Sequence, residues 1–179
     1  MPNLEIGGGT LPTEGYLQLD QCEYPWTTFS QPAHARIHVP DNYFDKIKAV
    51  HVLEHIQRCH VPFAVAEWFR TLKPGGELYV AVPNMMVAFK AYIEEPDPMR
   101  RQRLIGDVIY GGEPRPEDRH KVPYDLETLV ITVRAAGFRV QESGVADDHH
   151  TKFWNEYGIK GLSIFCRGTK PSTTPSPNS

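Results

Sequence analysis

The residues best suited to chemistry are a histidine pair, a row of glycines and two carboxylates. His51 and His55 flank Val52-Leu53-Glu54, and because imidazole titrates near neutral pH, either can take or give a proton in catalysis. Upstream, Leu4-Glu5-Ile6 breaks directly into Gly7-Gly8-Gly9. A short strand feeding glycines lets backbone approach a ligand closely, although an ordinary turn accounts for three glycines equally well. Asp20 ends the next apolar run, Tyr16 to Leu19. One strand after a glycine turn, a carboxylate at a strand end is placed to accept hydrogen bonds from both hydroxyls of a ribose. Further on, Tyr110-Gly111-Gly112 and Glu117-Asp118-Arg119-His120 form a polar, glycine-containing loop. Such loops carry specificity, so Tyr110 and His120 are candidate substrate contacts, with His120 a third candidate base. His51 to His55 also spells H-x-x-E-H, in which helical histidines bind zinc and the glutamate activates water. The strand pattern running into His51 argues against the helix that this zinc hydrolase site needs. No metal is therefore expected.

These residues need elements to position them. Phe44 to Val50 reads as a strand through Ile47, Ala49 and Val50. Val61, Val65, Trp68, Phe69 and Leu72 recur at helical steps after Pro62, which is tolerated in a first turn, and Lys73-Pro74-Gly75-Gly76 supplies a stop. Leu78 to Val82 is an almost wholly apolar run, as in a parallel strand covered on both faces. This is a β-α-β unit, and ligands in such sheets sit beyond the carboxyl ends of the strands. His51 to His55 and Pro83-Asn84 then face one crevice.

Further elements follow the same logic. Thr27 to Ser30 reads as a short strand and Met85 to Glu94 as a helix stopped by Pro96. Asp125 caps a helix that Gly137 ends. Phe138 to Val145 and Leu162 to Arg167 suggest an antiparallel hairpin at a sheet edge. Only Thr10 to Gly15 separates the glycine turn from the second strand, and G-x-G-x-x-G is absent. Either a loop replaces the crossover helix there, or the first two strands are not parallel neighbours. The fold class is α/β in one domain over residues 1–167, and 168–179, rich in Pro, Ser and Thr, is expected to be a disordered tail.

The chain has 179 residues, a net charge of −3 and no long basic run, which argues against a nucleic-acid partner. No stretch resembles a membrane span or an apolar leader. Three cysteines without C-x-x-C spacing indicate neither a disulfide framework nor a structural zinc site, so a cytoplasmic location is expected.

LEIGGG at 4–9, GYLQLD at 15–20, VPDNYFDKIKAVHVLEH at 39–55, EWFRTLKPGGELYVAVPN at 67–84 and IYGG at 109–112 occur in the order seen in class I S-adenosylmethionine-dependent methyltransferases. The chain resembles in particular the small members of the type-11-like group, in which an LNIGCG-like start is followed directly by a GWxNxD-like segment. The likeness spans about residues 3–167 and implies a Rossmann-like, mostly parallel sheet with a shortened first connection. It also implies S-adenosyl-L-methionine as cofactor. Glu5 and the Gly7, Gly8 and Gly9 backbone would hold its methionine part, Asp20 its ribose, and Val50 and His51 the methyl side. An acidic residue for the adenine amino group is missing near Phe29-Ser30-Gln31, and Gln31 or backbone would serve instead. The acceptor implied is a small molecule or sugar, the alternative being a non-catalytic cofactor-binding module.

Overall fold

The computed structural model describes residues 2–112, 118–146 and 159–172. Its seven strands form one sheet in the order β3-β2-β1-β4-β5-β7-β6. They are β1 (Asn3–Ile6), β2 (Tyr16–Asp20), β3 (Thr27–Ser30), β4 (Phe44–Val50), β5 (Leu72–Pro83), β6 (Arg139–Val145) and β7 (Ser163–Thr169). The first five pair in parallel, and β7 runs antiparallel to both β5 and β6. The expected C-terminal hairpin is therefore present at the sheet edge. β1 and β2 are parallel neighbours joined by a loop, which decides between the two alternatives left open by their short connection.

Four α-helices accompany the sheet: α1 (Val61–Thr71), α2 (Met85–Glu94), α3 (Pro98–Arg103) and α4 (Leu126–Ala135). In α1 the apolar spacing turns Val61, Ala64, Val65 and Trp68 inward, where they join Ile47, Leu78 and Val80 of the sheet and Leu129 and Val133 of α4 in the main core. A second cluster joins Met85 and Ala88 to Leu104 and Val108, which lie on a π-helical turn (Leu104–Ile109) continuing α3. Met85 is core, whereas Met86 points to solvent. Among the described residues no helix is long and apolar enough to cross a membrane.

The stretch from Cys22 to Pro40, whose pattern says little, is held by α1. Trp68 Nε1 donates to the Ala33 carbonyl at 3.1 Å, and the Arg70 guanidinium reaches the Ile37 and Val39 carbonyls while pairing with Glu67.

Two boundaries differ from expectation. Lys73 to Gly76 does not separate helix from strand, because β5 begins at Leu72, with a register irregularity against β4 that absorbs the glycines. The ordered chain also continues past Arg167. Gly168 and Thr169 belong to β7, and a side chain at Gly168 would press on Phe138 and Val133. Beyond them, Lys170 Nζ donates to the Phe69 and Leu72 carbonyls at 2.9 and 2.8 Å and to Asn42 Oδ1 at 2.8 Å. Residues 173–179 lie outside the described residues.

Lys170 thus places a cation on the orphan carbonyls at the C-terminal end of α1. Lys170→Met is expected to lower unfolding free energy by roughly 1–3 kcal/mol, the usual cost of stranding polar partners. Urea denaturation checks this, and an unchanged midpoint would show that water replaces the ammonium without loss.

Candidate functional site

β1 ends in a turn that only glycine makes easily. Gly7 and Gly9 have φ of 70° and 57°, and a side chain on Gly7 would run into Val52 Cγ2. Gly7 N donates to the Leu19 carbonyl at 2.8 Å, which sets the loop over the end of β2. There Asp20 accepts from Gly9 N through Oδ2 at 3.2 Å and from Cys22 N through Oδ1 at 2.8 Å. A carboxylate offers about four acceptor positions, so each oxygen keeps capacity for a ligand hydroxyl. The carboxyl ends of β1, β2 and β4 border a cleft of about 550 Å³ whose lining includes Gly7, Gly9, Asp20, Tyr24, His51 and Val52. That is within the size range of small-molecule sites, roughly 300–1,000 Å³.

Glu5 and Gly8 are not in this lining. Glu5, 4% exposed, turns its carboxylate the other way. It accepts from Thr13 N at 2.6 Å, Thr13 Oγ1 at 2.8 Å and Gln18 Nε2 at 3.0 Å, and pairs with Lys48 Nζ at 3.0 Å. The clasp fixes the far limb of the glycine loop. Gly8 lies directly over it, where an added Cβ would strike Gln18 Oε1.

β4 ends at His51, which adopts φ of 53°, a strained backbone for a residue with a side chain. The turn aims Nδ1 at Glu54 Oε1, 3.2 Å away, and Nε2 at Ser163 Oγ, 2.8 Å away. Since an ionised carboxylate only accepts, Nδ1 carries the proton and Nε2 accepts from the serine hydroxyl. Leu53–His55 form a single 3₁₀ turn, and Glu54 is buried at its centre. His55 Nε2 lies 3.7 Å and His120 Nε2 3.9 Å from the same Oε1, and the two rings meet edge to face at 4.9 Å. Burial alone would raise the Glu54 pKa, but the three imidazoles outweigh it and hold the carboxyl below its usual range. Burial pushes the His120 pKa down.

Of the residues singled out in sequence, the fold therefore gathers His51, His55 and His120 around Glu54. Gly7, Gly9, Asp20, His51 and His55 line the cleft. The Val50 side chain instead packs with Ala81 and Ala146. The Tyr110 ring is 59% exposed and outside the cleft, although its carbonyl accepts from His120 N at 3.0 Å. Gln31 spends its amide on the Ala35 and Arg36 carbonyls. Sequence reasoning passed over His34, His60 and Lys121 as cleft residues. His34 and His60 stack at 4.4 Å, a meeting of distant segments with no local signal.

This strand order, with a glycine turn after β1 and a carboxylate at the end of β2 facing one cleft, defines a Rossmann-like fold of the class I methyltransferase type. The sequence profile of the family described as methyltransferase domain matches residues 2–143, and the chain belongs to that family. No curated protein matches it by sequence. Among solved structures, it is similar to an S-adenosylmethionine-dependent methyltransferase from Archaeoglobus fulgidus, with 18% identity, 94% of this chain and 86% of that one covered, and a TM-score of 0.59. An S-adenosylmethionine-dependent methyltransferase from Mesorhizobium loti gives 14% identity, coverage of 94% and 90%, and a TM-score of 0.61. The 4+2 cyclase SpnF gives 17% identity, coverage of 96% and 75%, and a TM-score of 0.58.

S-adenosylmethionine is the cofactor expected of this enzyme, and the residues present fit it. Asp20 retains acceptor capacity at the cleft, Gly9 leaves open space where a Cβ would stand, and Ile6, Leu19, Ala33 and Ile56 add apolar wall for a base.

The Glu5 clasp yields a pH-dependent prediction. Burial would raise the Glu5 pKa, but bonds from Thr13, Lys48 and Gln18 lower it below 4.5. The stabilisation is then complete above that ordinary value and is lost as pH falls through the lower folded value. Glu5→Gln is expected to cost about 1–3 kcal/mol at neutral pH, with the gap to wild type closing below pH 4.5. Denaturation curves at several pH values measure this, and a gap that ignores pH would refute the charged clasp.

Proposed function

We propose that this chain transfers the methyl group of S-adenosylmethionine to a nucleophilic oxygen or nitrogen of an acceptor that is a small molecule or sugar. The observation that carries the reading is that Asp20, Gly7, Gly9 and His51 line one cleft, with Asp20 bonded to Gly9 N. Bound S-adenosylmethionine supplies a methyl on sulfonium, so the protein's tasks are alignment, exclusion of water and removal of the acceptor proton. Asp20 holds the ribose hydroxyls and the Gly7 to Gly9 backbone admits the methionine part, with Glu5 and Gly8 setting that loop from behind. His51, at the end of β4, borders the methyl side, the Val50 side chain being packed with Ala81 and Ala146.

The proton is taken within the imidazole group. His51 is held by Glu54 and Ser163 in one tautomer; His55, 25% exposed at its side chain, and His120 beside it are the other acceptors. His120 is the acceptor-side candidate, and Tyr110, exposed outside the cleft, supports it only through a carbonyl that accepts from His120 N. Three cysteine thiols fit a reducing, cytoplasmic setting. The second reading is a cofactor-binding module without methyl transfer, suggested by Phe29-Ser30-Gln31 carrying no acidic side chain for the adenine amino group; Gln31 gives its Nε2 to the Ala35 and Arg36 carbonyls and keeps only Oε1 as an acceptor.

Calorimetric titration of S-adenosylhomocysteine into wild type and Asp20→Ala tests the pocket. Saturable binding is expected for wild type, weakened in the variant by roughly 1.5–3 kcal/mol, the range for hydrogen bonds to a charged group. Absence of binding to folded wild type would overturn the reading. Binding without methyl transfer to any supplied small-molecule mixture would favour the module.

A further inference from the structure

We propose that Glu54, His55 and His120 form a binding site for a divalent first-row transition metal. Each offers one donor atom, and the three donors lie within 4.8 Å of one another. Glu54 Oε1 is 3.7 Å from His55 Nε2 and 3.9 Å from His120 Nε2. Metal–nitrogen and metal–oxygen bonds of about 2.0–2.2 Å need donors only slightly closer than this, a movement within reach of small side-chain rotations. Two imidazoles and one carboxylate suit zinc, iron(II) and their neighbours rather than calcium or magnesium.

Two further features point to a cation. The Glu54 side chain is 1% exposed. Among the described residues no backbone amide, hydroxyl or lysine hydrogen-bonds either of its oxygens. Polar groups removed from water need compensation of that kind, and charges need a paired charge or a metal. The second feature is the orientation of the His55 ring. His55 Nδ1 lies 3.3 Å from the Arg119 carbonyl, so Nδ1 donates there and the Nε2 lone pair points at the carboxylate. Metal-binding histidines are held in this way, with the non-ligating nitrogen bonded to a carbonyl or carboxylate. His51, bonded to Glu54, acts as an orienting partner of the ligand.

The H-x-x-E-H spacing pairs His51 with His55 on a helix, and the sequence argument against zinc rested on the missing helix. The fold uses a different pair. A 3₁₀ turn presents Glu54 and His55, and His120 arrives from another segment, anchored by Lys121 N and Val122 N on the Glu54 carbonyl at 2.7 and 3.2 Å. Three protein ligands leave coordination positions open, and one of the three, His55, lines the cleft. The site stands independently of methyl transfer.

Cobalt(II) titrated into EDTA-stripped full-length protein tests it, by calorimetry and by the visible ligand-field bands of the ion. One equivalent is expected for wild type and for His38→Asn, a control on an exposed histidine outside the cluster. Glu54→Gln, His55→Asn and His120→Asn are expected to weaken binding by about 100-fold or more, at least what removing a supporting partner of a ligand costs. If the buried Glu54→Gln fails to fold by circular dichroism, His55→Asn decides, since that side chain is 25% exposed. No binding to wild type, or equal binding by all three variants, would overturn the site. Either result leaves the S-adenosylhomocysteine titration unaffected, so the two readings fail separately.

Discussion

A carboxylate placed out of water beside three imidazoles is the constraint around which the functional end of this molecule is arranged. Glu54 sits in the turn after β4, and both its halves bind distant chain. Its side chain faces His51, His55 and His120, while its carbonyl accepts from Lys121 and Val122. The segment carrying His120 cannot leave without breaking both sets of bonds. That segment continues to Tyr124, whose carbonyl accepts from Met85 N at 2.8 Å and which bridges Asn84 at the end of β5. The ends of β4 and β5 and the approach to α4 are therefore one connected piece. His51, strained at positive φ, belongs to the same arrangement: its unusual backbone is what turns the ring between Glu54 and Ser163.

Most of the fold was legible because its signals are local. The burial alternation of β4, the three- and four-residue steps of α1 and the Asp125 cap, realised as a capping box with Thr128, depend on neighbours in sequence. What escaped depends on partners far away. Lys73 to Gly76 reads as a stop, yet pairing with β4 recruits it into β5. Lys170 belongs by composition to a polar tail, and only the carbonyls at the end of α1 make it structural. The position of Asp20 at the cleft was legible from its place at a strand end. The orientation of Glu5 was not, since the contacts that turn it from the cleft come from Thr13, Gln18 and Lys48 on three other segments.

Family membership gives the cofactor chemistry, because the glycine turn and Asp20 lie on the sheet itself. The acceptor is a different matter. The cleft also collects His34, His60 and Lys121 from the connections after β3 and β4 and from the segment before α4. Such residues vary without disturbing the sheet, which is how one architecture supports many reactions. A cyclase among the structural neighbours, alongside methyltransferases, makes the same point.

The missing first helix shows how the sheet compensates. A parallel crossover normally spans a dozen or more residues and carries a helix that covers the sheet. Here β1 and β2 are parallel with only a short loop between them, so that cover is absent. Polar chemistry takes its place. Glu5 and Gln18, directly paired across β1 and β2, are among the few buried polar side chains, and they bond to each other. Thr13 of the loop and Lys48 of β4 close on the same carboxylate, and Lys48 also donates to Thr13 Oγ1 at 2.8 Å. The Glu5 carboxylate stays charged there because both of its oxygens are bonded, and those bonds tie the loop to β2 and β4. The glycine turn is thus held toward the cleft by a clasp behind it, so that a residue outside the cleft governs the geometry of those that line it.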